Sequence, residues 1–113
     1  MTLGAAAFPI LPGKTDEWRN FIGELNGSRR AEYVANRKEL GVHERTFLQP
    51  TPMGDLVVIT LEGDDPAAAF TKLSGMTDPF STWFRAQVKE IHGFDLAEVA
   101  AGPMPALVVD SAS

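Results

Sequence analysis

The chain has 113 residues with 15 acidic and 10 basic side chains, no cysteine and a hydrophobic content of 44%. This length fits one domain (residues 1–113) with a single core. Acidic residues outnumber basic ones, and the chain has no basic stripe that would bind nucleic acid. No segment approaches the ~18 apolar residues of a membrane span. The absence of cysteine excludes disulfides and thiolate metal sites, and it favours a cytoplasmic protein.

The first predicted element is a strand over residues 3–11, closed by the turn at Pro12. The start of the chain is apolar, as in a secretory signal. It lacks a basic n-region, however, and Pro9 and Pro12 interrupt the apolar segment. We therefore expect no signal peptide.

A long helix is predicted next, with Thr15 as its N-cap and Gly41 as its stop. Apolar side chains recur at helical spacing in its first half: Trp18, Phe21, Ile22 and Leu25. Such a stripe is typical of a helix with one face against a core. Gly27 weakens helical structure, so we expect a kink or a short break there.

Residues 42–49 and 55–62 predict two strands joined as an antiparallel hairpin through residues 50–54. The first strand has one face with His43, Arg45, Phe47 and Gln49 and another with Val42, Glu44, Thr46 and Leu48. The second strand has one face with Val57, Ile59 and Leu61 and another with Leu56, Val58 and Thr60. Because both faces of the second strand are apolar, we expect it to be central and to need cover on both sides.

Two further helices are predicted from their N-termini, where Asp65 and Asp78 each precede a proline. Gly75 and Gly93 are placed to end them. Residues 94–113 then form a C-terminal extension.

The extension ends in a predicted strand over residues 106–109. Counted with the last two helices as one helix in two pieces, the element order becomes βαββαβ, which indicates an α+β, ferredoxin-like fold. Its four-stranded antiparallel sheet carries helices on one face only. We therefore predict a homodimer that pairs its open sheet faces and buries the second face of the central strand.

The chain resembles the dimeric α/β-barrel superfamily, which includes the antibiotic-biosynthesis-monooxygenase-like domains. The resemblance rests on a first strand running into Pro12–Lys14, an acidic helix start at Asp16–Trp18, a hairpin ending in Val57–Glu62, and an Asp-Pro helix start. It covers most of residues 3–93. The divided second helix, with its aromatic segment 79–84, and the long tail depart from the superfamily's minimal pattern.

Members of this superfamily include cofactor-independent monooxygenases and isomerase-like proteins, and they usually hold ligands between the sheet and its helices. The resemblance implies such an enzyme, without a cofactor, acting on a small aromatic or polyketide-like compound. His43 and Arg45 are the catalytic candidates, because an imidazole beside a guanidinium can remove a proton and stabilise the resulting oxyanion. The ligand-binding candidates are Tyr33, Arg37, Trp83 and Phe84.

The alternative is a non-catalytic dimer that binds a small ligand or serves as an assembly module. His43 and Arg45 would then lie on a solvent-facing or interface-facing surface near Glu44 and Glu62. The two hypotheses differ in whether His43 and Arg45 point into a closed apolar cavity. His92 ends a helix, where a cation is favoured, so we expect it to act in capping. The two histidines have no short ligand spacing, and no metal or haem site is predicted.

Overall fold

The computed structural model describes residues 1–112, which form three strands and five helices. In chain order the elements are β1 (Thr2–Pro9), α1 (Thr15–Asn26), α2 (Arg30–Leu40), β2 (Val42–Thr51), β3 (Gly54–Gly63), α3 (Pro66–Gly75), α4 (Pro79–His92) and α5 (Leu96–Ala101). The strands form one antiparallel sheet in the order β1-β3-β2. The predicted α+β class is confirmed. None of the helices in this part of the chain is long and apolar enough to cross a membrane.

β3 is the central strand, as predicted, and it pairs with β1 on one edge and β2 on the other. The β2–β3 hairpin is also confirmed, with a shorter turn than expected. Thr51 pairs with Gly54, so that only Pro52 and Met53 lie between the strands. The Thr51 hydroxyl fixes this turn by accepting from the Met53 backbone N–H at 3.1 Å. Gly54 has a φ of 123°, which other residues rarely adopt.

The two faces of β3 have different surroundings. Val57, Ile59 and Leu61 are 4–7% exposed and pack in the main core beneath the helices. Leu56 and Val58 point to the opposite face and are only half-buried. The helices therefore cover one face of the sheet and leave the other open.

The two Asp-Pro helix starts behave as predicted. The Asp65 carboxylate accepts from the Ala68 backbone N–H at 3.1 Å, and the Asp78 carboxylate accepts from that of Ser81 at 3.1 Å. Each bond satisfies one of the amide groups that lack a partner in the first turn of a helix.

The predicted long first helix is broken into α1 and α2 between Asn26 and Arg30, as its glycine indicated. The expectation that Thr15 caps α1 is wrong. Lys14 occupies the N-cap position and makes no side-chain capping bond. The Thr15 hydroxyl instead donates to the Asp55 carboxylate on β3 at 2.6 Å. A tertiary hydrogen bond thus replaces the local one.

The C-terminal extension differs from the prediction. Its first part forms α5, which anchors Leu96 in the core at 4% exposure. Residues 106–109 form no strand, and Leu107, Val108 and Val109 are 73–89% exposed. A strand is stabilised by ladder bonds and by burial of at least one face, and this segment obtains neither. The sheet of residues 1–112 therefore has three strands and a free edge at β1.

We expect the Asp78→Ala substitution to lower the free energy of unfolding by about 1 kcal/mol at pH 7. Hydrogen bonds from the side chain and then the backbone of Ser81 lower the pKa of Asp78 below its ordinary value of 3.8. A lowered folded-state pKa contributes stability above the unfolded-state pKa, and this is lost as the pH falls through the folded-state pKa. The cost of the substitution should therefore shrink in strong acid, as measured by urea denaturation.

The control for this test is Asp78→Asn, which keeps a capping oxygen but cannot titrate. Its free energy of unfolding at pH 7 should be close to that of the wild-type protein. A cost for Asp78→Ala that stays constant down to pH values well below 3.8 would show that the charge of Asp78 does not contribute.

Candidate functional site

A cavity of about 70 Å³ lies between the covered face of the sheet and the helices. Its wall is built mainly from aliphatic and aromatic side chains of the core, including Phe70 of α3 and Phe84 of α4. The polar residues in the wall are Arg37, Glu44, Thr46 and His92. A mostly apolar concave site with a few convergent polar groups is typical of small-molecule sites.

Glu44 is at the centre of a polar cluster on one side of this cavity. Its Oε1 accepts from Arg37 Nε at 3.2 Å and also from the Tyr33 hydroxyl. The side chains of Arg37 and Glu44 are only 8% and 9% exposed, so this ion pair is almost entirely buried. Burial, and next the charge of Glu44, raise the pKa of Tyr33 far above its ordinary value. The phenol therefore stays protonated and can donate to the carboxylate.

The Arg37 guanidinium is held from several sides. Its carbon lies 4.6 Å from the ring centroid of Phe84 and 4.8 Å from that of Tyr33. Its Nη1 donates to the Asn36 side-chain oxygen, and Asn36 Nδ2 donates in turn to the Ser81 hydroxyl at 3.1 Å. Stacking on aromatic faces and planar hydrogen bonding are the contacts that arginine makes well in a buried site.

His92 lies at the end of α4 but does not act as the predicted helix-capping cation. The residue is only 9% exposed, and its ring stacks on Phe94 at a centroid distance of 5.7 Å. Its Nδ1 is 2.8 Å from the Pro9 carbonyl oxygen, so Nδ1 carries the proton and donates. Burial lowers the pKa of His92, opposed in part by this hydrogen bond. The imidazole is therefore neutral near pH 7 and belongs to the core.

The structure places His43 and Arg45 on the open face of the sheet, away from the cavity. Both residues are exposed, and Arg45 forms an ion pair with Glu62 on the neighbouring strand. Side chains alternate along a strand, so the residue that enters the cavity wall between them is Glu44. The expectation that His43 and Arg45 line the cleft is therefore not met.

The predicted ligand-binding residues divide in a similar way. Arg37 and Phe84 line the cavity, and Tyr33 reaches it through its bond to Glu44. Trp83 packs against Phe21 at a centroid distance of 5.4 Å and does not line the cavity. Glu44 was missed as a site residue. The signal for it was a carboxylate on the same face of β2 as two apolar side chains.

Comparison with models of protein families, with curated proteins and with solved structures finds no significant match. The functional interpretation therefore depends on the geometry of the site. Within residues 1–112, no three histidine, aspartate or glutamate side chains cluster closely enough to hold a metal ion.

We expect Glu44→Gln to lower the free energy of unfolding by about 3 kcal/mol, because it leaves the buried Arg37 guanidinium without its counter-charge. A domain of this size keeps its fold at that cost, since total stabilities are about 5–15 kcal/mol. The measurement is urea denaturation at pH 7.

Glu62→Gln is the matched control, because it breaks the Arg45–Glu62 pair on the open face, where the two side chains are 47% and 33% exposed. It should cost much less than Glu44→Gln, because exposed ion pairs contribute little to stability. Equal costs for the two substitutions would contradict the burial of the Arg37–Glu44 pair.

Proposed function

We propose that this chain is a non-catalytic protein that binds a small, mostly apolar molecule and works as a homodimer. The observation that carries the proposal is the cavity between sheet and helices, in which an apolar wall meets the buried Arg37–Glu44 pair. Protein cores are normally close-packed, with few voids larger than a water molecule. A cavity with a charged pair in its wall is therefore better explained by a ligand than by core packing.

The size of the cavity limits the ligand. About 70 Å³ is roughly half of the ~150 Å³ engineered cavity that takes up benzene. A space of this size suits a short alkyl chain or a comparably small group. A polycyclic, polyketide-like compound would fit only if the helices moved away from the sheet.

We favour binding over catalysis because the enzyme hypothesis depended on His43 and Arg45. A monooxygenase- or isomerase-like enzyme would need an acid–base group next to its ligand. Both residues lie on the opposite face of the sheet from the cavity. Glu44, which does line the cavity, is already engaged by Tyr33 and Arg37.

The partner that we propose for the open face of the sheet is a second copy of the chain. The face presents Phe47, which is 55% exposed and lies opposite the half-buried Val58, and Leu3, which is 59% exposed and lies opposite Glu62. Its Arg45 and Glu62 neutralise each other, so two copies can approach face to face without repulsion between like charges. A two-fold axis would bring the same apolar patch of each copy together.

The ferredoxin-like sheet and the dimeric α/β barrel are part of this proposal. The free edge of β1 and the exposed apolar segment 106–109 support a fourth strand that forms next to β1 in the dimer. Pairing would give this segment the ladder bonds and the burial that it lacks in a single chain.

Binding in the cavity predicts that Ala69→Leu weakens the ligand about tenfold or more, because Ala69 lines the cavity and leucine would fill it. The probe is butan-1-ol, followed by amide chemical shifts of the labelled protein, since ligands of this size bind weakly. Shifts should centre on cavity residues such as Phe70 and Phe84.

The matched control is Ala67→Leu, which places the same side chain on the exposed face of the same helix. It should leave the affinity for butan-1-ol unchanged. Equal binding by both variants, or no shift at cavity residues in the wild-type protein, would contradict the proposal.

Dimerisation through the open face predicts that Val58→Asp produces a monomer in sedimentation velocity at micromolar concentration. Val58 lies on the central strand, opposite Phe47 and Ala7, so an aspartate there would put a buried charge in the middle of the interface. Val34→Asp, on the exposed side of α2, is the matched control and should remain dimeric. A monomeric wild-type protein would refute the dimer.

A further inference from the structure

We infer that the ligand of this cavity is a neutral molecule with a hydroxyl group, recognised jointly by Glu44 and Arg37. The inference rests on the proposed function and adds the chemical class of the ligand. It follows from the hydrogen-bonding capacity that the polar cluster leaves unused.

The unused capacity lies on one atom of each member of the ion pair. Glu44 Oε1 accepts the bonds from both Tyr33 and Arg37, whereas Oε2 accepts none from any side chain in residues 1–112. Arg37 donates from Nε and Nη1, and its Nη2 makes no hydrogen bond within the same residues. A carboxylate oxygen is an acceptor and a guanidinium nitrogen is a donor, so one of each remains available.

Both atoms are accessible rather than fully enclosed by other protein atoms. Every fully enclosed side-chain nitrogen or oxygen in residues 1–112 has a hydrogen-bond partner. Glu44 Oε2 and Arg37 Nη2 have none, so neither is fully enclosed, and both residues line the cavity. A hydroxyl group can donate to the first atom and accept from the second, which an ether or a hydrocarbon cannot do.

The charge of the site disfavours ionic ligands. Arg37 and Glu44 neutralise each other at 3.2 Å, and Tyr33 is held protonated, so the polar cluster has no net charge. A carboxylate ligand would be attracted to the open nitrogen of Arg37 but repelled by the open oxygen of Glu44, and the reverse holds for an ammonium ligand. Neither ion therefore gains the net attraction that would offset the loss of its hydration. In an apolar cavity, either repulsion is only weakly screened.

Three probes of similar size separate these properties. Butan-1-ol carries a hydroxyl group, methyl propyl ether is its isomer without a donor, and butyrate is an anion at pH 7. We expect butan-1-ol to bind about tenfold more tightly than the ether, because it adds a hydrogen bond to a charged group. Butyrate should bind most weakly. Affinities are measured from amide chemical shifts of cavity residues.

Glu44→Gln should change the order of the affinities for the three probes. The substitution leaves Arg37 without its counter-charge, so butyrate should become the tightest of the three probes. Glu62→Gln, the control on the open face, should keep the wild-type order. If Glu44→Gln does not fold, the double variant Arg37→Met with Glu44→Met removes both charges together. In that variant the alcohol and the ether should bind within about threefold of each other.

The outcomes distinguish this inference from the proposed function. Binding of all three probes in the cavity, with the ether equal to the alcohol or butyrate tightest in the wild-type protein, overturns the hydroxyl inference and leaves the cavity as a binding site. An unchanged order in the folded Glu44→Gln variant also overturns it. If no probe shifts the cavity residues, the proposed function fails, and the inference fails with it.

Discussion

The fold depends on the burial of one face of β3. Val57, Ile59 and Leu61 meet the helices on that face, and each fully buried aliphatic side chain contributes about 1.5–3 kcal/mol. The opposite face carries Leu56 and Val58, which are chemically similar but only half-buried. Much of the hydrophobic stabilisation available to that face is therefore not realised in a single chain. This imbalance gives the molecule a helix-covered side with a cavity and an open side with half-buried apolar side chains, which is the side that we propose for dimerisation.

The Arg37–Glu44 pair is not explained by stability. Replacing a buried ion pair with well-packed apolar residues is often neutral or stabilising, whereas removing one partner is costly. The surrounding wall is apolar, so hydrophobic side chains at both positions would have continued the same packing. Tyr33 and Asn36 nevertheless complete a hydrogen-bonded network around the pair. A fully bonded network of this kind holds its side chains in one arrangement, and the ligand recognition that we propose would use that fixed geometry.

The elements that the sequence predicted well are those set by local chemistry. Asp65 and Asp78 begin helices because each offers a capping oxygen in front of a proline. The glycine at position 27 marks the break between the first two helices, and the turn residues after β2 indicate the hairpin. In each case a few neighbouring residues determine the backbone, so no knowledge of the distant chain was needed.

The features that were missed depend on contacts between distant segments. The alternation along β2 gave both faces of the strand correctly but could not indicate which face the helices cover. When the wrong face of a strand is assigned to the core, every side chain of that strand is placed on the wrong side of the sheet. This error placed His43 and Arg45 in the cleft instead of Glu44. The strand expected at residues 106–109 failed for a related reason. Its apolar residues favour a strand, but forming one requires a neighbouring edge and a surface on which to pack.

The alternation of β2 also separates the two proposed surfaces. Glu44 and Arg45 are adjacent in the chain, and each belongs to an arginine–glutamate pair on a different side of the sheet. The inner side chains are 8% and 9% exposed, whereas the outer ones are 47% and 33% exposed. The same chemistry therefore acts in a poorly screened environment inside and a well-screened one outside. Because side chains on one face do not reach the other, the cavity and the open face can be altered independently. A change on one face that abolished both ligand binding and dimerisation would have to act by distorting the strand itself.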